Sequence, residues 1–424
     1  MNVLLLNTYD ITGGAARAVY RIHKGLRQIG IDSRLMVMDK RSHDGSVTSI
    51  HSGFKKKLLG RYFLTDLLPL IFYPGRQRRT WSIGWKWNDL SRRIARKNPD
   101  LIHLNWVGRG FVPIRALCRF RVPIVWTLTD MWPFTGGCHF SHNCDRYHRS
   151  CGLCPQLSSH REKDLSRRIW RQKKKYWKGI DLTLVAPSKW MKQCAEASSL
   201  FHGHSVERIP FGLAPDVFKP ADRLLSRGKW GFSPDRKIIL TGGIKSTTDP
   251  RKGFKLLLAA IKTVSTRGWA KEAELVVFGA RKPSRPPDMG LKTKYMGHIQ
   301  DDAQLASLYA AADVFVAPST QESFCQTVLE ALSCGTPCVG FKVGGLPDMI
   351  NHQHNGYLAR AFDIRDLAEG IDRVITKKIW EAESILKWRK KQGRAFSDTE
   401  IARCYARLYD DVLRRRITAP RPKL

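Results

Sequence analysis

Val3-Leu-Leu-Leu6, then Thr8-Tyr-Asp-Ile-Thr-Gly-Gly14, then an amphipathic run from about Ala15 to Ile29, a stop at Gly30 and a second apolar run at Ser33–Met38: the fold turns on this stretch. Four apolar residues in a row suit a strand buried on both faces. The glycine pair supplies a tight turn. The periodicity after it predicts a helix, which Gly30 ends. Strand, glycine turn, helix, strand is the opening of a doubly wound parallel sheet.

Beyond this stretch the pattern repeats. Asp100–Leu104, Pro123–Leu128 and Asp181–Pro187 read as further strands, the last closing a first sheet, with a helix near Lys189–Ser198. Val206–Pro220 is rich in Pro and Gly and reads as a linker. A second series follows: strands at Lys237–Leu240, Glu274–Phe278, Asp313–Pro318 and Pro337–Phe341, with helices at Phe254–Ser265, Asp301–Ala312 and around Val328–Cys334. Helical periodicity returns over Ser397–Arg416. A chain of 424 residues holds two such domains comfortably. The fold class is α/β. The expected boundaries are 1–205 for an acceptor-binding domain, 206–390 for a donor-binding domain, and 391–424 for a terminal helix returning to the first. Ligands of open parallel sheets bind beyond the carboxyl ends of the strands, so the residues just after strands are the candidates.

The net charge of +36 predicts attraction to polyanions: nucleic acid, an anionic membrane or phosphorylated substrates. It is concentrated between Gly53 and Lys97, where Lys55, Lys56, Lys57, Arg61, Arg76, Arg78, Arg79, Lys86, Arg92, Arg93, Arg96 and Lys97 face only Asp66 and Asp89. Amid them lies the apolar run Tyr62–Tyr73, too short to span a bilayer. It suits either a surface dipping into an anionic leaflet or a buried helix between solvated flanks. Met1–Thr8 lacks a basic start and a cleavage site, so the chain is expected in the cytoplasm. The ten cysteines are then expected as thiols or metal ligands.

After the strand ending at Pro318 comes Ser319-Thr-Gln-Glu-Ser-Phe-Cys-Gln-Thr-Val-Leu-Glu330. Eight residues of helix rise about 12 Å, of the order of the distance from a hexose to a ribose across a diphosphate. Glu322 is then the acceptor for sugar hydroxyls and Glu330 for ribose hydroxyls. The helix start between them, at Ser323, Phe324, Cys325 and Gln326, offers free amides to an anion. Read alone, the pair is equally a helix-entry charge and a surface residue.

With Ala331, Gly335, Pro337, Gly344, Gly345 and Pro347, the block resembles glycosyltransferase family 4, retaining enzymes of the GT-B fold: two Rossmann-like doubly wound parallel-sheet domains facing across a cleft. Cys325 stands where that family usually has Gly. Ile209-Pro-Phe-Gly-Leu213 resembles its interdomain linker, and Pro250-Arg-Lys-Gly-Phe254 its phosphate-binding segment. The resemblance implies that Lys252 contacts the donor diphosphate, that Lys245 or Arg251 substitutes for an Arg usually found after Gly243, and that His298 lies in a turn meeting the nucleobase. Gly13 and Gly14 resemble the family's amino-terminal glycine loop, which approaches the diphosphate or acceptor.

Trp126–Gly137 departs most. Thr129 stands where the family commonly has a sugar-contacting His, with Asp130 after it as a sugar or acceptor contact, or as a turn residue. A threonine hydroxyl still donates and accepts but is no general base at neutral pH. In the retaining mechanism favoured for the family, the departing diphosphate takes the acceptor's proton. Cys138, Cys144, Cys151 and Cys154 follow, ending in Cys-x-x-Cys. Their spacing suits a structural zinc, with His139, His142 and His148 as substitutes; the other reading is thiols packed under a loop. The block from Trp132 to Leu157 resembles the subgroup that builds bacterial exopolysaccharides, including colanic acid glycosyltransferases, whose acceptors are carried on polyprenyl diphosphate.

The resemblance therefore implies a retaining hexosyl transfer from a nucleoside-diphosphate sugar to a lipid-linked oligosaccharide, at the inner face of an anionic membrane. Glu322, Lys252, Asp130 and Thr129 are the catalytic candidates. No Asp-x-Asp motif is placed to hold Mg²⁺, so no cofactor is expected for catalysis, and no nucleic acid as partner. The rival classes are a basic nucleic-acid-binding protein with a zinc knuckle and an inactive glycosyltransferase-like scaffold.

Overall fold

A computed structural model describes residues 1–50, 64–85, 90–376, 387–388 and 395–418. The chain divides into two units, residues 1–212 with 398–424, and residues 213–397.

Unit 1 holds β1 (Asn2–Tyr9), α1 (Gly14–Gln28), β2 (Asp32–Asp39), β3 (Val47–Ser49), α2 (Leu90–Ala95), β4 (Leu101–Leu104), β5 (Ile124–Thr127), α3 (Leu165–Trp177), β6 (Leu182–Ala186), α4 (Lys189–Glu196) and β7 (Val206–Arg208). Its sheet runs β3-β2-β1-β4-β5-β6-β7, with every pair parallel. β1 is central and buried on both faces, which explains its unbroken Val-Leu-Leu-Leu. Val206–Arg208 is not linker: it adds the edge strand of this sheet beside β6. Its short polar pattern, with only Val206 buried, hides it from a search for apolar runs. The order reverses between β1 and β4, so the loops after those strands flank the switch point, where doubly wound sheets bind ligands.

Unit 2 holds α5 (Arg223–Trp230), β8 (Lys237–Gly242), α6 (Phe254–Val264), β9 (Ala273–Phe278), β10 (Lys292–Gly297), α7 (Asp302–Ala311), β11 (Val314–Ala317), α8 (Gln326–Ser333), β12 (Cys338–Phe341), β13 (Gly356–Ala359) and α9 (Ile364–Thr376). Its parallel sheet runs β10-β9-β8-β11-β12-β13. The amphipathic α9 packs against α6 over a core containing Ile239, Leu275, Val277, Val316 and Val339. Here the switch point lies between β8 and β11.

The terminal helix, α10 (Asp398–Thr418), packs on α1 within unit 1. Two buried tyrosines fix it there: Tyr405 Oη lies 2.8 Å from Thr127 Oγ1, and Tyr409 Oη 2.7 Å from His103 Nδ1. His103 Nε2 closes the chain on Thr127 Oγ1 at 2.8 Å. Burial lowers the His103 pKa to about 3, so the ring is neutral and takes one donor and one acceptor role.

Of the basic Gly53–Lys97 region, Lys55, Lys56, Lys57, Arg61 and Lys86 lie outside the described residues. Among the described residues, no helix is long and apolar enough to cross a membrane.

Candidate active site

The loops flanking the β8/β11 switch point carry the charged residues that the sequence singles out. After β8, Gly243 and Lys245 open a loop in which the Lys245 carbonyl accepts from the amides of Thr248 and Asp249. Lys245 itself is exposed and has a left-handed φ of 57°. The loop closes in a 3-10 turn at Pro250–Lys252, capped by the Asp249 carboxylate through the Arg251 amide. Gly253, at φ 68°, ends the turn, and a Cβ there would stand 1.8 Å from the Pro318 carbonyl oxygen. No side chain fits between these two loops, which is what brings Lys252 up to the β11 loop.

There Lys252 Nζ lies 2.5 Å from Glu322 Oε1, and Arg251 Nη1 lies 3.0 Å from Glu322 Oε2. Ser319 Oγ donates to Oε1 at 3.0 Å, and Arg251 also donates to the Gln321 carbonyl at 2.9 Å. Glu322 is buried. Burial alone raises its pKa, but Lys252 and Arg251 outweigh it and hold the pKa down at about 2. These donors take three of the roughly four lone-pair directions of a carboxylate. Behind it, the Glu322 carbonyl accepts from the Gly345 amide at 3.0 Å, and a Cβ on Gly344 would meet that carbonyl at 2.1 Å.

α8 starts at Gln326. The reading of Glu322 to Glu330 as one helical rise is corrected accordingly: only Gln326 to Glu330 is helix, about 6 Å of rise, and Glu322 to Cys325 is loop. The turn into the helix is made by Cys325 at φ 72°, ψ 75°. That left-handed conformation explains why glycine is usual there. The Cys325 side chain is buried, and burial with Glu322 nearby raises its thiol pKa to about 11. Ser323 and Phe324 are buried in the loop. Glu330 is buried on the helix, where it accepts from Tyr309 Oη at 3.1 Å. A pocket lined by Gly242, Ser246, Lys252, Ser319, Cys325 and Thr327, among others, opens at this point. His298, just after β10, is exposed.

At the β1/β4 switch point, Gly13 (φ 108°) caps α1 and Gly14 begins it. Arg17 sits in the first turn. The loop after β4 is strapped to β1: Asn7 Oδ1 accepts from the Trp106 amide at 2.8 Å, and Thr8 Oγ1 donates to the Trp106 carbonyl at 2.9 Å. Trp106 stacks on Tyr9, and Arg109 donates to Tyr9 Oη at 3.0 Å. The Trp106 indole donates to Asp130 Oδ2, which also pairs with His139 Nδ1, each at 2.5 Å. His139 Nε2 lies 2.9 Å from Ser82 Oγ, and Ser82 Oγ accepts from the Arg109 amide at 2.7 Å. Asp130, His139 and Ser82 are all buried. The Asp130 carboxylate, read as a sugar or acceptor contact or as a turn residue, orients Trp106 and His139 through Oδ2, while Oδ1 accepts from the Trp132 amide within the turn. Thr129 is buried beside it. No local pattern announces this network, because Ser82, Trp106 and His139 are far apart along the chain and only the β4 and β5 loops bring them together.

The expectation of His139 as a substitute zinc ligand is corrected: Asp130 and Ser82 engage both of its ring nitrogens. Cys138, Cys144, Cys151 and Cys154 do line one pocket, with Tyr147 and Arg146. Among the described residues, however, no three His, Cys, Asp or Glu side chains form a set that could hold a metal ion. Burial raises the pKa of all four thiols. The buried Lys173 amine supports the wall of this pocket, donating to the carbonyls of Trp132 and Thr135 and lying 3.9 Å from the centre of the Trp132 ring.

Comparison with known proteins follows the same division. The family model described as Glycosyltransferase Family 4 matches residues 12–217, and that described as Glycosyl transferases group 1 matches residues 235–377. A D-inositol 3-phosphate glycosyltransferase of Stackebrandtia nassauensis is 29% identical over 225 residues, 50% of this chain and 50% of that protein. The chain thus spans about half the length of such curated relatives. Sucrose-phosphate synthase from Thermosynechococcus elongatus superposes with a TM-score of 0.69 at 19% identity, covering 98% of this chain and 100% of that one. Anabaena Alr3699/HepE, solved in complex with UDP-glucose, superposes with a TM-score of 0.64 at 18% identity, covering 97% and 100%. Two parallel-sheet units, each matched by its own glycosyltransferase model, give this chain the GT-B fold and a likeness to glycosyltransferases in both of its halves.

Proposed function

We propose that the protein is a retaining glycosyltransferase that moves a hexose from a nucleoside-diphosphate sugar to a lipid-linked oligosaccharide at an anionic membrane surface, in the building of a bacterial exopolysaccharide. The observation that carries the donor half is the buried Glu322 carboxylate held by Lys252, Arg251 and Ser319 at the β8/β11 switch point. Lys252 and Arg251 are already oriented there, so a diphosphate entering the pocket meets fixed positive charge without reorganisation. The amides at the start of α8 add partial positive charge on the same side. Together they stabilise the charge that develops on the departing diphosphate, a task that otherwise falls to a divalent cation.

Glu322 keeps about one lone-pair direction open for a sugar hydroxyl. Glu330 and Tyr309 take the ribose, and the turn at His298 takes the base. In unit 1, Thr129 supplies a neutral hydroxyl to the sugar, while Asp130 positions Trp106 through its indole N–H. Gly13 and Gly14 leave the start of α1 open to an anion. The lipid-linked acceptor is supported by the likeness of the Trp132–Leu157 block to exopolysaccharide enzymes, and the hexosyl donor by the UDP-glucose bound in the HepE neighbour.

Thermal unfolding of the full chain with a panel of UDP-, GDP- and other nucleotide sugars tests the reading. A donor at 100 times its Kd adds about 2.7 kcal/mol of stability. The matching donor should raise the midpoint more than its nucleotide alone does. Stabilisation by no nucleotide sugar would overturn the proposal. With the donor known, the anomeric configuration of the product decides retention.

A further inference from the structure

The segment from Leu64 to Phe72 is a turn of helix at 64–67 that tightens into a 3-10 turn at Leu68–Phe72. Its inward face is narrow. Asp66 and Leu70 are buried, and the Asp66 carboxylate accepts from the amides of Ile83 at 3.2 Å and Gly84 at 2.7 Å. Arg76 ties down the far end, donating to the carbonyls of Leu70 at 3.0 Å and Tyr73 at 3.3 Å. Asp66 and Leu70 thus anchor this segment to the fold.

The remaining large side chains point outward. Leu64 is 65% exposed, Leu67 41%, Leu68 52%, Ile71 66% and Phe72 84%. Their spacing of i, i+3, i+4, i+7 and i+8 is that of one helical stripe. The other exposed large apolar residues among those described occur singly or as the pair Leu224 and Leu225. Clustered exposure of this kind marks an interaction surface.

Two features choose the occupant. None of the five side chains carries a polar atom, so the face can enter an apolar phase without leaving a side-chain polar group unpaired. The charge around it is of one sign. Over residues 64–85, the only acid is the buried Asp66, whereas Arg78 is exposed and Arg76 and Arg79 are partly buried. The whole chain carries 73 Lys and Arg against 37 Asp and Glu. A second copy packed on this face would bring like charges together.

We infer that Leu64, Leu67, Leu68, Ile71 and Phe72 form a shallow insertion surface that docks the protein on an anionic lipid leaflet, with arginines meeting the headgroup phosphates. This deepens the lipid-linked acceptor reading and rests on it for its purpose, but its test requires no sugar nucleotide. Full-length protein is sedimented with vesicles of phosphatidylcholine alone, or with one-third phosphatidylglycerol, at low and high salt. The expected result is binding to the anionic vesicles that weakens with salt, and a tenfold or greater loss of partition in the double variant Leu68→Ser/Phe72→Ser. A Phe72→Trp variant should shift its emission to the blue on those vesicles and be quenched by brominated lipid. The double variant should keep the wild-type midpoint shift with a nucleotide sugar, which shows that it folds.

Equal partition of the double variant and the wild type would overturn the inference. So would a wild type that ignores anionic vesicles, or one whose mass doubles in solution until Leu68 and Phe72 are replaced; the last would assign the face to a second copy. Vesicle binding in a protein that binds no nucleotide sugar would sustain the docking surface and sink the proposed function. The reverse pair of results would do the opposite.

Discussion

The two switch points are built from opposite chemistry. In unit 2, the loops after β8 and β11 close on charge: Lys252 and Arg251 grip Glu322, and their cost of burial is met by pairing. In unit 1, the loops after β1, β4 and β5 close on rings: Tyr9 stacks on Trp106 and His139 lies tilted against it, with a buried acid, Asp130, behind them. On the proposed function, the first takes the anionic middle of the donor and the second a neutral sugar face. A shared topology fixes where each site lies but not what it grips.

Glu322→Gln puts this contrast under the most strain. It preserves the shape and removes the charge between the two cations. Turnover should fall by about 100-fold or more, while the nucleotide alone still stabilises the protein. Near-normal turnover would mean that charge at this switch point does not grip the donor sugar. Alanine is the poorer choice, because it leaves Lys252 and Arg251 without their buried partner, and a buried pair broken on one side costs about 3–5 kcal/mol.

A more modest change is expected from Asp130→Asn. The Trp106 and His139 bonds lose their charged acceptor, which destabilises by about 1–3 kcal/mol. As a positioning residue, Asp130 should change the acceptor KM, with nucleotide affinity unchanged. Lost nucleotide affinity would refute the division of labour between the units.

Acid should separate the units next. Burial lowers the His23 pKa from 6.5 to about 4 and that of His103 to about 3. Below about pH 6.5, unfolded unit 1 therefore binds more protons than folded unit 1. Its stability falls from there until pH passes each lowered pKa, by about 1.4 kcal/mol for every unit by which that pKa is lowered. The Glu322 pKa is depressed from 4.5 to about 2, so its contribution to unit 2 is present above pH 4.5 and lost only as pH falls towards 2. Hydrogen exchange at pH 5 should loosen β1, β4 and α10 before β8 and β11. The opposite order would contradict the acid sensitivity assigned to the two histidines.

Cys325→Gly should do least. Relief of the left-handed strain, about 1 kcal/mol, is offset by the lost packing of a buried thiol and by the freedom glycine adds to the unfolded chain. Stability should change by less than about 1 kcal/mol, and donor binding should hold. A large loss of donor binding would give the thiol a role in the pocket.

Much is legible in the chain itself. Apolar runs, glycine turns and helical periods are local, so β1, α1, β8, α6 and β11 can be read where they stand. Glu322, Lys252 and Cys325 stand out through the spacing of a motif. The strands β7 and β10 escape such a reading because they bear polar residues at a sheet edge, where burial imposes no apolar signature, and β13 because it is buried but only four residues long. The Asp130–His139–Ser82 network escapes for a different reason: its members come from separate loops and carry no shared pattern.

Sequence alone is therefore enough for the α/β class, the division into two series and the residues after the strands, because burial and turn geometry act between near neighbours. It took the folded chain to establish that Arg251 and Lys252 share one carboxylate, that the turn into α8 is made by a left-handed Cys325, that Asp130 serves an indole and an imidazole, and that the Leu64–Phe72 face points outward. Each depends on which loops the sheet order sets side by side. Contacts between residues distant along the chain leave no period in it.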